Sequence, residues 1–86
     1  MARVTATSPT PNPDAMKFTL DVTLEGMTNA TTAEDAEANP FTAAVFDAPG
    51  VAGVFGTADF VTVTRQADAE WGPIVAAVET AAAEHL

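Results

Sequence analysis

At 86 residues the chain has the length of one domain, with room for one small core but not for a deep enclosed ligand cavity as well. A hydrophobic share of 48% with 17% charged residues is globular, and the absence of cysteine excludes disulfides, thiolate nucleophiles, zinc ribbons and cysteine-ligated iron–sulfur clusters. Twelve acidic residues against three basic ones leave a net charge of -9, which opposes phosphate backbones and anionic headgroups, so no nucleic-acid or membrane partner is expected. No apolar run reaches signal-peptide or membrane-spanning length, and a cytoplasmic location is the default expectation.

In chain order, Ala2 to Thr7 is rich in β-branched residues, with Val4 and Ala6 alternating against Arg3, Thr5 and Thr7, and reads as an edge strand. Ser8 to Pro13 holds Pro9, Pro11 and Pro13, which forbid a helix and a central strand and predict a stiff turn. The strongest pattern follows. Met16, Phe18, Leu20, Val22 and Leu24 are apolar at alternate positions, with Lys17, Thr19, Asp21 and Thr23 between them, the period of a strand with one buried face. Gly26 to Asn39 is polar, acidic and aperiodic, a variable surface loop with at most a helical turn through Thr32 to Ala38.

Asn39-Pro40 supplies a helix N-cap and a first helical proline, Phe41, Ala44, Val45 and Ala48 lie on one helical face, and Pro49-Gly50 stops the helix. Val51 to Phe55 and Phe60 to Thr64 are β-rich runs around Gly56 to Asp59, which predicts a hairpin with a four-residue loop. Asp68 to Glu70 suits a helix start, with Gly72-Pro73 tolerable in the first turn. Trp71, Ile74, Val75, Val78 and Ala82 then form the stripe of an amphipathic helix. The order β-β-α-β-β-α predicts an α+β two-layer sandwich: a four-stranded, mainly antiparallel sheet with two helices on one face, and residues 1–86 as one domain.

The residues suited to chemistry do not assemble into a reaction centre. His85 is penultimate, Ser8 has no histidine or lysine near it in sequence, and Glu34, Asp35 and Glu37 lack the fixed alternate spacing and turn glycine of a calcium loop. Gly50, Gly53 and Gly56 match neither a dinucleotide nor a P-loop pattern and are better explained by turns and bulges, while Trp71 belongs to its helical stripe as a core anchor. Neither an enzyme nor a cofactor is expected. Among few cations, Lys17 on the polar face of its strand and Arg65 at a strand end are expected on exposed sheet surface, as ordinary surface salt bridges or as contacts for a carboxylate-bearing partner.

Thr10-Pro-Asn-Pro13, Ala15-Met-Lys-Phe18, Pro49-Gly50-Val51, Val54-Phe55-Gly56, Asp59-Phe-Val-Thr-Val-Thr-Arg65 and Glu70-Trp71 followed by Ile74, in this order, resemble the N-terminal domain of the Nfu (NifU-like) iron–sulfur scaffold proteins. The resemblance spans nearly the whole chain. It implies a small α+β fold and the companion of a separate C-terminal domain whose CxxC pair holds the cluster; no position here matches a cluster ligand. The expectation is therefore an accessory or protein-interaction domain related to iron–sulfur cluster assembly, monomeric and without its own cofactor. Asn12 in the proline turn, Lys17, Asp59 in the hairpin loop and Arg65 are its candidate partner contacts. The rival expectation is a peptide- or small-ligand-binding module unrelated to cluster chemistry, using the open sheet face or strand addition at the Arg3 to Thr7 edge.

Overall fold

The computed structural model describes residues 2–24 and 26–86. Five strands, β1 (Val4–Pro9), β2 (Ala15–Leu20), β3 (Thr28–Ala30), β4 (Val51–Thr57) and β5 (Phe60–Arg65), pair antiparallel in the order β1-β2-β5-β4-β3. Helices α1 (Ala33–Ala36), α2 (Pro40–Phe46) and α3 (Trp71–His85) complete the chain. Phe18 and Leu20 of β2, Val54 of β4, and Val61 and Val63 of β5 share one core with Phe41 and Val45 of α2 and Ile74 and Val78 of α3. The helices thus cover one face of the sheet. A shortest dimension of 19 Å is that of one sheet under one helical layer.

The α+β class, the antiparallel sheet and the helical layer agree with the sequence, whereas the counts do not: among the described residues five strands and three helices replace four and two. The additional elements lie in the expected acidic loop. Thr28–Ala30 has no apolar alternation; its strand character comes from pairing with β4, where Ala30 lies opposite the buried Val54. In α1, the Thr32 hydroxyl accepts from Asp35 N (3.0 Å), Glu34 and Asp35 fill the first turn, and Ala36 is fully buried.

Strand boundaries also shift, for reasons of pairing. β1 continues through Pro9, tolerated because it ends an edge strand. β2 stops at Leu20 instead of Leu24 because its neighbour β5 begins at Phe60; beyond that point Leu24 N donates to Ala58 O (2.6 Å) in the adjoining turn. Val22 and Leu24 still pack against the core, so their alternation records burial and not a ladder. In α2 the Asn39 side chain accepts from Phe41 N (2.8 Å) with Pro40 at the first helical position, as expected, and Phe46, off the main stripe, is half-buried against the core. Ile74, Val78 and Ala82 of α3 are buried, with Trp71 and Val75 half-buried beside them.

The hairpin is tighter than expected. Thr57 pairs with Phe60, leaving Ala58 and Asp59 as the turn, and Gly56 lies within β4, where the missing side chain makes room for Leu24 and Val61. Ala58 has φ 52, a conformation that costs an L-residue about 1–2 kcal/mol. Glycine removes that strain at a smaller cost in unfolded-state entropy. Ala58→Gly is therefore expected to stabilise the domain by about 0.5–1 kcal/mol, read as a higher urea midpoint with an unchanged slope.

Candidate protein-binding face

Strand register fixes what the uncovered face of the sheet presents. Ser8, Lys17, Thr62, Phe55 and Asn29 are successive partners across all five strands, and Ala6, Thr19, Phe60 and Thr57 form the adjacent row. Side chains directly opposite in a pleated sheet share a face, and these positions alternate with the core residues Phe18, Val54, Val61 and Val63. Phe55 and Phe60 consequently lie on the side away from the helices, each half-buried among threonines. None of the described acidic residues occupies these rows, although the chain carries a net charge of -9.

Lys17 lies near the middle of this face. Its ammonium sits over the Phe60 ring, 4.5 Å from the centroid, a contact worth about 0.5–1 kcal/mol where solvent reaches it. No described carboxylate lies within ion-pair distance of it. Asp59 occupies the hairpin tip, next to Phe60 in sequence, and its carbonyl accepts from Leu20 N (2.7 Å), so the turn is fastened to β2. Asp59 is thus fixed at the hairpin end of β5, while Lys17 lies within the rows of the open face.

Asn12 and Arg65 lie at the other end. In the proline turn, Asn12 Oδ1 accepts from Asp14 N (2.9 Å), Asn12 O accepts from Ala15 N (3.0 Å), and Thr10 Oγ1 lies 2.9 Å from Asn12 O. Asn12 thus has a definite structural task, holding the β1–β2 turn in shape. Arg65 differs from the expectation of exposed sheet surface. It is two residues from Val63, so the pleat directs it to the helical side, where its guanidinium stands over the Trp71 ring at 5.2 Å. There Nε meets Asp14 Oδ1 at 3.3 Å and Nη1 donates to Ala69 O at 3.1 Å. The structure therefore does not bring Lys17 and Arg65 onto one surface.

Elsewhere, an open concavity of about 470 Å³ lies beside Val22, Leu24, Thr28, Asn39 and His85, and His85 Nε2 is 3.9 Å from Glu84 Oε2. Among the described residues no group of three or more histidine, aspartate or glutamate side chains is disposed to hold a metal ion. No buried side-chain polar atom among them is left without a hydrogen bond. No described helix is long and apolar enough to cross a membrane. The sequence pointed to Lys17 but not to its setting: Phe55 and Phe60 were visible as strand residues, while their shared face with Lys17 emerges only when β2, β5 and β4 are placed in register.

Residues 4–86 match the family model described as "Scaffold protein Nfu/NifU N terminal". The chain is similar to the mitochondrial "NFU1 iron-sulfur cluster scaffold homolog" of Drosophila erecta, 45% identical over 74 residues, covering 79% of this chain and 25% of that protein. It is likewise similar to the uncharacterized protein YpgR of Bacillus subtilis, 37% identical over 81 residues, covering 92% of this chain and 22% of that protein. The chain spans about a quarter of the length of these curated relatives. Among solved structures, protein SAV1430 of Staphylococcus aureus superposes with a TM-score of 0.77 at 30% identity, covering 92% of this chain and 96% of that one. SeR13 of Staphylococcus epidermidis gives 0.66 at 28% identity, covering 95% and 96%. The antiparallel sheet under its helical layer, from β1 to the end of α3, is thus the shared unit, and the chain belongs to the Nfu/NifU N-terminal domain family.

Proposed function

We propose that this domain is a non-catalytic protein-interaction module that serves iron–sulfur cluster assembly without itself holding the cluster. The observation that carries the reading is a match to the Nfu/NifU N-terminal family over residues 4–86 in a chain with no cysteine. With no thiolate, this chain cannot supply the usual ligands of a cluster, so its part in such chemistry is to contact the proteins that do. In this reading residues 1–86 act as one monomeric, cytoplasmic unit; the Drosophila relatives, by contrast, are named as mitochondrial. Its partners are proteins involved in assembling or receiving clusters, with Asn12, Lys17, Asp59 and Arg65 as candidate contacts, and its charge of -9 disfavours nucleic acid and anionic membranes.

The test pairs two measurements on the purified, isotopically labelled domain. Incubated anaerobically with ferric and ferrous iron, sulfide and a thiol, then desalted, it is expected to carry no cluster absorbance. Titrated with a CxxC-bearing Nfu scaffold domain and with a cluster-accepting apoprotein, it is expected to show saturable amide shifts with at least one of them. A cluster chromophore on the domain alone, or no shift with either protein, overturns the reading.

A further inference from the structure

The open sheet face departs from its surroundings in two independent ways. An antiparallel sheet covered on one side usually turns polar side chains to water. Here Phe55 and Phe60 occupy that side at the centre, although the core beneath is already supplied by Val54, Val61 and Val63. The second departure is electrostatic. Acidic residues populate the helical layer and its connections, among them Glu34, Asp35, Asp47, Glu79 and Glu84, whereas the rows around Phe55 and Phe60 contain no described acid and one cation, Lys17. Of the acids that flank these strands, Asp21 follows β2 and Asp59 precedes β5 at the hairpin end, while Asp14 precedes β2 at the opposite end and is paired with Arg65, so all three belong to the rim.

From these two features we infer that the open face is a docking surface for a protein segment that seats an apolar side chain against Phe55 and Phe60 and brings a carboxylate to Lys17. The inference rests on the protein-interaction reading above but not on the partner's role in cluster assembly. Charge complementarity decides among occupants. A second copy applied face to face offers Lys17 no carboxylate from the matching rows, since none of their described residues is acidic, and it brings together two bodies each of charge -9. Strand addition at the sheet edges is also poorly served. β1 is bulged between Val4 and Ala6 and closes on Pro9, while β3 is only three residues long. A foreign segment with one acid amid apolar residues satisfies both features of the face at once: the aromatic pair supplies the buried anchor, and the acid-free rows let Lys17 pair without competition.

The experiment is a selection from a phage-displayed library of random peptides against the immobilised domain, followed by titration of synthesised winners into the labelled protein. The expected winners combine an aromatic or large aliphatic residue with Asp or Glu and shift the amides of Lys17, Phe55, Phe60 and Thr62. Lys17→Gln, which removes the charge while keeping a polar side chain one atom shorter, is expected to weaken them about tenfold. Lys17→Glu is expected to reject them yet bind peptides in which the acid is replaced by lysine, a charge swap that a merely misfolded variant does not produce. Winners rich in basic residues, shifts confined to α2 and α3 or to the β1 edge, indifference to both Lys17 variants, enrichment of nothing, or dimerisation in sedimentation that Phe60→Ser abolishes would each overturn the proposal. Peptide binding on this face without binding of any cluster-assembly protein refutes the functional reading alone; an assembly protein bound elsewhere refutes the face alone.

Discussion

Gly50→Ala is expected to destabilise the domain by about 3–4 kcal/mol, from a backbone cost and a steric cost that a second substitution can separate. Gly50 sits at φ +87 between α2 and β4, outside the comfortable range of a residue with a side chain, and this part costs about 1–2 kcal/mol. The steric part is specific to this fold. A Cβ on Gly50 would fall inside the Ala69 methyl group, and Ala69 cannot easily withdraw because its N–H donates to Gln66 O (2.9 Å) and its carbonyl receives Arg65 Nη1 (3.1 Å). Gly50 is itself tied, its carbonyl accepting from Gln66 N (2.7 Å). The contact thus joins the approach to β4 with the approach to α3. Urea unfolding of Gly50→Ala, Ala69→Gly and the double variant checks the division. The double variant is expected to recover the steric share and retain the backbone share; if Gly50→Ala loses less than about 1 kcal/mol, Ala69 yields to the added methyl group and the close approach carries no steric cost. A domain of this length has only about 4–13 kcal/mol in hand, so the single variant should unfold well below the wild-type midpoint.

The same turn shows what could and could not be read from the sequence. Pro49-Gly50 announced the end of α2, because proline cannot continue a helix and glycine alone suits the following conformation; that Ala69 would close on Gly50 from nearly twenty residues away was not written in either residue. Asn39-Pro40 and the alternation through Phe18 and Leu20 succeeded because caps and pleats are local physics. Thr28–Ala30 failed for the opposite reason: Thr-Asn-Ala has no periodicity, and only the edge of β4 makes it a strand. The Thr32-x-x-Asp35 spacing was a usable N-cap signal for α1, obscured by the acidic composition around it. The binding face was half legible. Phe60 alternates with Val61 in the sequence and so had to lie opposite the core, but its pairing with Thr19, and hence its proximity to Lys17, depends on the β2–β5 register.

Arg65→Glu is expected to destabilise the domain by roughly 3 kcal/mol, whereas Lys17→Glu, on the opposite face, should cost no more than the contact with Phe60 that it removes, about 0.5–1 kcal/mol. The two residues have similar chemistry but different surroundings. Arg65 ends β5 and gathers three separate parts of the chain: Asp14 at the start of β2, Ala69 in the connection to α3, and the Trp71 ring at the head of that helix. The exposed ion pair alone is worth little, about 0–1 kcal/mol, because the Arg65 and Asp14 side chains are 25% and 40% exposed and water screens them. The larger share comes from the bond to the Ala69 carbonyl and from the stem and guanidinium packed on Trp71, which a shorter acidic side chain cannot replace. Glutamate also sets a like charge beside Asp14. Arg65→Met separates these contributions by keeping much of the apolar stem, and is expected to cost about 1.5–2 kcal/mol. Denaturant titration of the three variants reads the result directly. If Arg65→Glu proves as mild as Lys17→Glu, Arg65 is not the clamp described and its charge is free for a partner; if it proves severe, binding experiments that combine it with Lys17→Glu report unfolding as well as recognition, and Lys17 alone is the residue with which to interrogate the open face.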